Sequence, residues 1–303
     1  MYRRSLTDRL LDRLWVGYGN WRERRSPSAQ HGQGSQTSSV SGTLGWPGAC
    51  AALADGTITT QAFRQRREVR EVVETLGLAD GRYFADWIRS LHPAWLVDQD
   101  VDRVNQWGNP IRAAGCLLGG GHAFSPTSLR YLAHALWLKQ SGLITPAGTV
   151  VEIGVGFGGL AAMNALVSKA ATLLVDLPEV ATAAALMMGE NGLGAYVMAA
   201  APVVDYCLIS NYAFTEMSEA LQSEYFERYI RGAERGAIIS NAAVFAKGIG
   251  GRTDEDLVAW FRAEGVPAVA DRNCEILGPA DHLCGVTLIR WDRCQTSGLP
   301  EEH

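Results

Sequence analysis

The sequence predicts an α/β fold with a mostly parallel sheet of seven strands, helices on both faces, an antiparallel last strand and a helical domain before the sheet. Strand and helix patterns alternate from Pro146 to about residue 295. The last two strand patterns follow one another without a helix, which predicts one antiparallel strand. Upstream of Pro146, apolar residues recur at helical spacing instead.

The predicted helical domain covers residues 46–145. One helix ends at Gly77, and a second covers residues 83–91, just before a proline. A third begins after the N-cap Ser125 and ends near Gly142. We interpret this domain as a lid or as the contact of a homodimer.

Two flanking segments have a different composition. Residues 1–45 begin with a basic stretch and continue as a Ser/Gly-rich run, which predicts a flexible linker because such a run buries too little apolar area to offset ordering. Residues 296–303 form a short C-terminal tail. The sheet domain therefore covers residues 146–295.

The elements of the sheet domain follow from its apolar runs and helix caps. The predicted strands are residues 149–153, 172–175, 196–199, 206–210, 237–240, 273–277 and 283–291. The predicted helices are residues 160–169, 179–188, 216–231 and 253–265.

Composition excludes several classes of protein. The chain has 303 residues, a formal net charge of -5 and a pI of about 5.7, so no global basic field is available to hold a nucleic acid. No apolar run approaches the length of a membrane span, so we expect no stable membrane insertion. The six cysteines contain no Cys-x-x-Cys pair, which favours reduced thiols and a cytoplasmic location.

The strongest local signal is the glycine turn after the first predicted strand. The chain reads Val-Val-Glu-Ile-Gly-Val-Gly-Phe-Gly-Gly-Leu from Val150 to Leu160. Glycine permits a positive φ and a close approach of a ligand, and the helix start offers unpaired N–H groups to an electronegative group. Asp176 follows the next strand, where a carboxylate can accept both ribose hydroxyls of a nucleoside.

Two cofactors fit this pattern. Gly154, Gly156 and Gly159 also satisfy the dinucleotide motif of NAD(P)-dependent oxidoreductases. Glu152, the helical domain before the turn and the closing strand pair favour S-adenosyl-L-methionine (SAM) and the Rossmann-like sheet of class I methyltransferases, with a non-catalytic SAM-binding protein as a further alternative. The predicted cofactor residues are Glu152, Gly154, Gly156, Gly158, Asp176, Leu177 and Asn211, with the start of the following helix binding the methionine carboxylate.

Beyond the glycine turn, residues 105–245 resemble the NanM-like family of sugar O-methyltransferases. The shared features are Gly108-Asn109-Pro110, Ser125-Pro126, Asn211, the Phe-x-Glu-Met run from Phe214 to Met217, Tyr225-Phe226 and Ser240-Asn241. The resemblance implies a class I enzyme that methylates a hydroxyl of a sugar or a glycosylated secondary metabolite, as in antibiotic biosynthesis. A C- or N-methyltransferase acting on another small natural product is the alternative.

Candidate residues for catalysis and acceptor binding lie where ligands meet an open parallel sheet, beyond the carboxyl ends of its strands. The predicted catalytic residues are His282, Glu216 and His122: the first two are candidates to accept the proton of the acceptor hydroxyl, and His122 would cover the site as part of a lid. The predicted acceptor-binding residues are Phe214, Asn241, Trp107 and Asn109. We expect no metal, because neutral amides follow the fourth and fifth strands where metal-dependent catechol-type enzymes carry carboxylates.

Overall fold

A computed structural model describes residues 45–110, 123–200 and 204–296. The basic segment and most of the linker expected at residues 1–45 lie outside these ranges. So do His122 and nearly all of the C-terminal tail.

The centre of the fold is one six-stranded sheet. Its strands are β1 (Thr149–Ile153), β2 (Ala171–Val175), β3 (Tyr206–Asn211), β4 (Arg235–Ser240), β5 (Val269–Asp271) and β6 (Thr287–Asp292). Their spatial order is β2-β1-β3-β4-β6-β5. The pairs from β2 to β4 are parallel, and β6 is antiparallel to both of its neighbours. The expected antiparallel last strand is confirmed.

Both faces of the sheet are buried. Successive side chains of a strand point to opposite sides, so neighbouring residues of one strand belong to different hydrophobic clusters. Val150 of β1 and Ile209 of β3 belong to one hydrophobic cluster. Their chain neighbours Val151 and Leu208 belong to a second cluster on the other face. A parallel sheet needs such double cover.

Helices occupy both sides and the region before the sheet. They are α1 (Trp46–Ala54), α2 (Arg67–Arg70), α3 (Leu78–Leu91), α4 (Gln99–Gln106), α5 (Pro126–Gln140), α6 (Gly159–Ser168), α7 (Pro178–Glu190), α8 (Glu219–Tyr225), α9 (Ala242–Ile249), α10 (Asp254–Ala263), α11 (Pro279–Leu283) and α12 (Arg293–Thr296). A π-helical turn, Phe226–Ile230, continues α8. Short 3-10 turns span Thr60–Gln65, Pro93–Val97, Gly194–Tyr196 and Ala213–Glu216.

Helix α5 joins the helical part to the sheet. It begins as its sequence predicts, with Pro126 in the first turn and the Ser125 hydroxyl accepting a hydrogen bond from the N–H of Ser128 (3.0 Å). Its side chains are buried from Pro126 to Leu138, since α5 packs against α3 on one side and α6 on the other. Helices α1 to α5 share a single hydrophobic cluster with α6, α7 and the sheet. The division into two domains at residue 146 stays a prediction.

The strand expected at residues 196–199 is wrong. A 3-10 turn occupies Gly194–Tyr196, and the segment contributes one parallel bridge, between Val197 and Thr172. Val197 is the sole β-branched residue in that stretch, so little favours a longer ladder. Within the described ranges, the sheet therefore has six strands.

The closing segment differs as well. The strand expected at residues 273–277 lies earlier, at β5, and α11 separates it from β6, so no short turn joins the two strands. Helix α11 forms because Pro279 suits a first helical turn and the Asp281 carboxylate accepts the N–H of Gly278 (2.8 Å). The helix expected at residues 216–231 begins later, at α8, because Met217 has extended backbone.

Candidate functional site

The glycine turn follows β1 at the carboxyl edge of the sheet. Gly154, Gly156 and Gly158 have φ values of 80°, 54° and 87°, a region that L side chains rarely adopt. A Cβ on Gly154 would lie 2.0 Å from the Cβ of Ala213. Glycine at this position therefore lets the connection after β3 touch the turn after β1.

The start of α6 is covered by protein atoms. A Cβ on Gly159 would lie 2.5 Å from the ring of Tyr131, which reaches over from α5. Phe157 is fully buried there, with its ring 5.7 Å from that of Tyr131. The ring of Tyr131 therefore lies against Gly159, and the expectation that this helix start binds a ligand carboxylate stays a prediction.

Glu152 is a buried acid beneath the turn. Its side chain is 3% exposed, and its Oε2 has no hydrogen-bond partner among the described residues. Burial, and then the nearby charge of Asp176, raise its pKa to about 8. Buried carboxylates ordinarily accept hydrogen bonds at both oxygens. The unpartnered Oε2 of Glu152 can therefore accept a hydrogen bond from a ligand.

Asp176 lies against the same turn. Its Oδ1 accepts the N–H of Leu177 (2.8 Å), and further N–H groups of Val155 and Gly156 hold its pKa down. Burial outweighs these bonds and raises the pKa to about 6. Leu177 is exposed beside it. The structure thus brings Glu152, Asp176 and the glycine turn together, as the sequence predicts for a cofactor site.

A buried chain of polar groups faces the turn from the helical side. An Nη1 donor of Arg130 lies 3.3 Å from the Tyr212 hydroxyl, which in turn donates to Oδ1 of Asp281 (2.9 Å). Tyr212 has a φ of 73°, which is uncommon for a bulky residue and costs energy. Nε of Arg130 is buried and has no hydrogen-bond partner in the described part of the chain.

His134 of α5 contacts the end of β3. Its Nδ1 is 3.0 Å from Nδ2 of Asn211, and its Nε2 is 3.2 Å from the carbonyl oxygen of Ile276. Because a carbonyl only accepts, the proton of the neutral ring sits on Nε2. Burial, and then Arg130, lower the pKa of His134 to about 3, so the ring stays neutral. This contact uses the side chain of Asn211, whose predicted role in cofactor binding stays a prediction.

Two of the predicted acceptor-side residues meet. Nδ2 of Asn241, after β4, donates to Oε1 of Glu216, after β3, over 2.7 Å. The Thr215 hydroxyl donates to Oδ1 of Asn241 (2.7 Å) and fixes its orientation. Glu216 remains partly exposed at the carboxyl edge of the sheet. Both residues lie at the carboxyl edge of the sheet, where the parallel strands β3 and β4 end.

Other predicted residues lie elsewhere. Phe214 is fully buried against Phe261, so its expected contact with an acceptor is wrong and its role is packing. Trp107 is buried too: its ring stacks on Phe157 (6.0 Å, 17°) and its Nε1 donates to Glu190 (2.7 Å). It supports the glycine turn and is not available to stack on a sugar.

The three remaining predicted residues are His282, Asn109 and His122. His282 is exposed on α11 rather than in a hairpin turn, while its neighbour Asp281 faces the interior. Asn109 is exposed, with a φ of 50°, and ends the turn after α4. The position of His122 lies outside the described ranges.

Neither a metal centre nor a membrane span is found in what the structure describes. Across residues 45–110, 123–200 and 204–296, no three or more His, Cys, Asp or Glu side chains cluster as metal ligands would. Over the same residues, every helix is too short or too polar to cross a bilayer.

Sequence reasoning missed Arg130, Tyr131, Tyr212 and Asp281. A signal existed for the first two, because α5 carries apolar residues on all sides, and a helix of that kind is buried whole. A charged residue inside such a helix requires a partner or a function. Tyr212 and Asp281 carry no local signal, since only packing brings them together.

Comparison with known proteins gives distant likenesses. Neither a protein-family model nor a curated protein matches the chain. A mitomycin 7-O-methyltransferase structure shares 17% identity and a TM-score of 0.41, over 56% of this chain and 56% of its own. For geranyl diphosphate C-methyltransferase from Streptomyces coelicolor A3(2) the values are 14% and 0.41, over 69% and 98%. For the N-terminal domain of human METTL16 they are 10% and 0.38, over 69% and 94%.

These solved structures are methyltransferases by their descriptions, and two of them hold S-adenosylhomocysteine. At such TM-scores the likeness carries no argument about activity or substrate. The resemblance to the NanM-like family stays an expectation. The functional conclusion has to come from the site.

Proposed function

We propose that this chain is a SAM-dependent methyltransferase that transfers a methyl group to a hydroxyl of a small molecule, with a sugar as the preferred acceptor class. The observation that carries the proposal is the glycine turn after β1 with the buried Glu152 and the partly buried Asp176 beside it. The strand order, with one antiparallel strand between β4 and β5, supports it as the expected layout of class I enzymes.

Charge at the turn favours SAM over a dinucleotide. A pyrophosphate carries negative charge, and it would meet the carboxyl groups of Glu152 and Asp176 in a poorly solvated place. The aminoacyl end of SAM carries an ammonium group, which the unpartnered Oε2 of Glu152 can accept. Asp176 can accept the ribose hydroxyls, as carboxylates at the end of the second strand do.

The protein's contribution to the reaction is positioning and removal of a proton. Bound SAM would supply an electrophilic methyl group. The chain must hold the acceptor oxygen in line with it, and such orientation is worth roughly 7–11 kcal/mol in well-aligned cases. A hydroxyl acceptor also needs a base within hydrogen-bond reach. Glu216, partly exposed and oriented by Asn241, is the base we propose, in preference to the exposed His282.

Calorimetric titration tests the cofactor assignment. We expect S-adenosylhomocysteine to bind and NAD(P) not to bind. Asp176→Ala should weaken S-adenosylhomocysteine at least about tenfold, because charge-assisted hydrogen bonds to the ribose are lost. The control is Asp86→Ala, which removes an exposed carboxylate of α3. Binding of NAD(P) alone, or unchanged affinity in a folded Asp176→Ala protein, would remove the basis of the proposal.

Methyl transfer itself is measured with SAM labelled with ¹³C in the methyl group and a panel of neutral sugars, sugar acids and glycosylated natural products. The carbon shift of the product distinguishes O- from C- and N-methylation. Glu216→Gln should lower turnover by about a hundredfold or more while the affinity for S-adenosylhomocysteine is kept. Full turnover in that variant would place the base elsewhere, and a protein that binds the nucleoside without methylating any acceptor would be a binding protein.

A further inference from the structure

Arg130 is a buried charged residue whose hydrogen-bond donors are only partly used within the described residues. Its side chain is 6% exposed, and its Nε has no hydrogen-bond partner among the described residues. The bond it makes to Tyr212 is long, at 3.3 Å, and goes to a neutral hydroxyl. The charge of Asp281 and the hydroxyl of Tyr131 also favour the charged guanidinium, but no ion pair within 4.0 Å forms between Arg130 and a described carboxylate. A buried guanidinium is costly unless a bidentate or charged partner satisfies its donors.

Arg64, another buried arginine near the turn, has an ion pair and several hydrogen bonds, unlike Arg130. Arg64 pairs with Glu74, and an Nη2 donor of Arg64 bonds the hydroxyls of Ser125 (2.8 Å) and Ser128 (3.1 Å). Its Cζ lies 4.4 Å from the centre of the Phe157 ring. Arg64 therefore has a structural role, and Arg130 lacks the equivalent partners.

The position of Arg130 is next to the glycine turn. Its Cζ lies 5.4 Å from the ring centre of Tyr131 and 5.1 Å from that of Tyr212. Tyr131 covers Gly159, and the residue after Tyr212 touches Gly154. The guanidinium thus lies between the connections that leave β1 and β3.

Glu152 adjoins the same tyrosine. The charge of Glu152 raises the pKa of Tyr131 and the charge of Arg130 lowers it, although burial is the largest cause of its raised value. Two buried groups that can carry opposite charges, each with an unpartnered polar atom, therefore act on Tyr131. A ligand that carries both an anion and a cation on neighbouring atoms would neutralise both.

We propose that Arg130 binds the carboxylate of the aminoacyl end of the cofactor, while Glu152 binds its ammonium group, so that the pair forms a receptor for an α-amino acid zwitterion. This assignment rests on the proposed function. It places the carboxylate at Arg130 rather than at the start of α6, where the ring of Tyr131 lies against Gly159. A singly charged carboxylate suits the place better than a phosphate, because the acids Glu152 and Asp176 flank the turn and Asp281 already acts on Arg130.

Ligands test the proposal on the unaltered protein. S-adenosylhomocysteine has both charged groups, its decarboxylated analogue keeps only the amine, and 5′-methylthioadenosine has neither. By calorimetry, S-adenosylhomocysteine should bind at least about tenfold more tightly than the decarboxylated analogue. Equal affinities would overturn the assignment. If none of the three binds, the proposed function itself fails, which is a separate outcome.

Variants identify the residue. Arg130→Met should weaken S-adenosylhomocysteine at least about tenfold and leave 5′-methylthioadenosine unchanged. Arg130→Lys keeps the charge without the planar fork, and it replaces Arg130→Met in the test if the Met variant does not fold. It should lose part of the preference for S-adenosylhomocysteine over 5′-methylthioadenosine. Arg290→Met, at an exposed position on β6, is the charge-matched control and should change neither affinity. A parallel loss for both ligands would mean that Arg130 is structural. An undiminished preference in Arg130→Lys and Arg130→Met would mean that its anion belongs to the acceptor.

Discussion

At the scale of single residues, the site contains ionisable groups whose pKa values are shifted toward their neutral forms. Burial raises the pKa values of Glu152 to about 8 and Asp176 to about 6, and lowers that of His134 to about 3. Perturbed groups of this kind concentrate at functional sites, although structural networks also perturb them. His134 belongs to a network that joins α5 to β3, whereas Glu152 has an unpartnered oxygen.

Glu152→Gln should make the ligand-free protein less sensitive to alkaline conditions. The folded-state pKa of Glu152 is above its ordinary value of 4.5, so the folded protein holds an extra proton between about pH 4.5 and 8. The free energy of unfolding therefore falls as pH rises through this window, by up to about 1.4 kcal/mol per pH unit for this group. The variant lacks this loss.

Urea unfolding of both proteins at pH 5 and pH 8 measures the effect. The variant's advantage should grow from the lower pH to the higher one, while its affinity for S-adenosylhomocysteine falls. A stability difference that is the same at both pH values would show that Glu152 is not buried as a neutral acid.

At the scale of elements, the contact between the turn after β1 and the connection after β3 determines the shape of the site. Gly154 and Ala213 approach so closely that no side chain fits on the first. Beside this contact, the strained Tyr212 directs its hydroxyl to Asp281 of α11. The order of the strands thus places residues from three connections around one point.

Gly154→Ala should destabilise the fold more than Gly142→Ala. Both glycines have a positive φ, 80° and 74°, so alanine is strained by roughly 1–2 kcal/mol at either position. Nothing lies within 4 Å of a Cβ on Gly142, whereas one on Gly154 meets Ala213 at 2.0 Å. Overpacking adds about 1–3 kcal/mol.

The measurement is the difference in free energy of unfolding between each variant and the unaltered protein. The double variant Gly154→Ala with Ala213→Gly should recover the part of the loss that is due to overpacking. Equal losses for the two single variants, or no recovery in the double variant, would argue against the close approach.

At the scale of the whole molecule, the helical part and the sheet are one packed body. Their side chains form one hydrophobic cluster, from Trp46 of α1 to Leu288 of β6. Arg64 ties the 3-10 turn Thr60–Gln65 to the start of α5 and to Phe157 of the glycine turn. The helices α1 to α5 thus pack into the same cluster as the sheet, and their expected role as a lid or a dimer contact stays a prediction.

We expect the described part of the chain to unfold as one cooperative unit. Calorimetric and van't Hoff enthalpies should agree, and amides of α5 and β4 should exchange with the same free energy of opening. S-adenosylhomocysteine should shift the single transition upward. An independent early transition of the helical part would instead support a separate lid domain.

Local patterns in the sequence were sufficient for several features. Alternating strand and helix signals predicted a doubly covered parallel sheet with one antiparallel strand. The glycine turn and Asp176 could be located because each stands at a fixed place after a strand. The position of Glu216 beside Asn241 followed from the rule that parallel strands end at one edge. Weak or short signals failed, as at residues 196–199 and at the helix that contains His282.

What the sequence by itself determined is the alternation of strands and helices and the glycine turn, because these depend on residues a few positions apart. Only the tertiary structure decided that Arg130, Tyr212 and Asp281 meet at that turn, that Phe214 and Trp107 are buried, and that Tyr131 covers the start of α6. The physical reason is that these contacts join segments far apart in the chain. Side-chain packing and burial establish them, and neither leaves a local pattern.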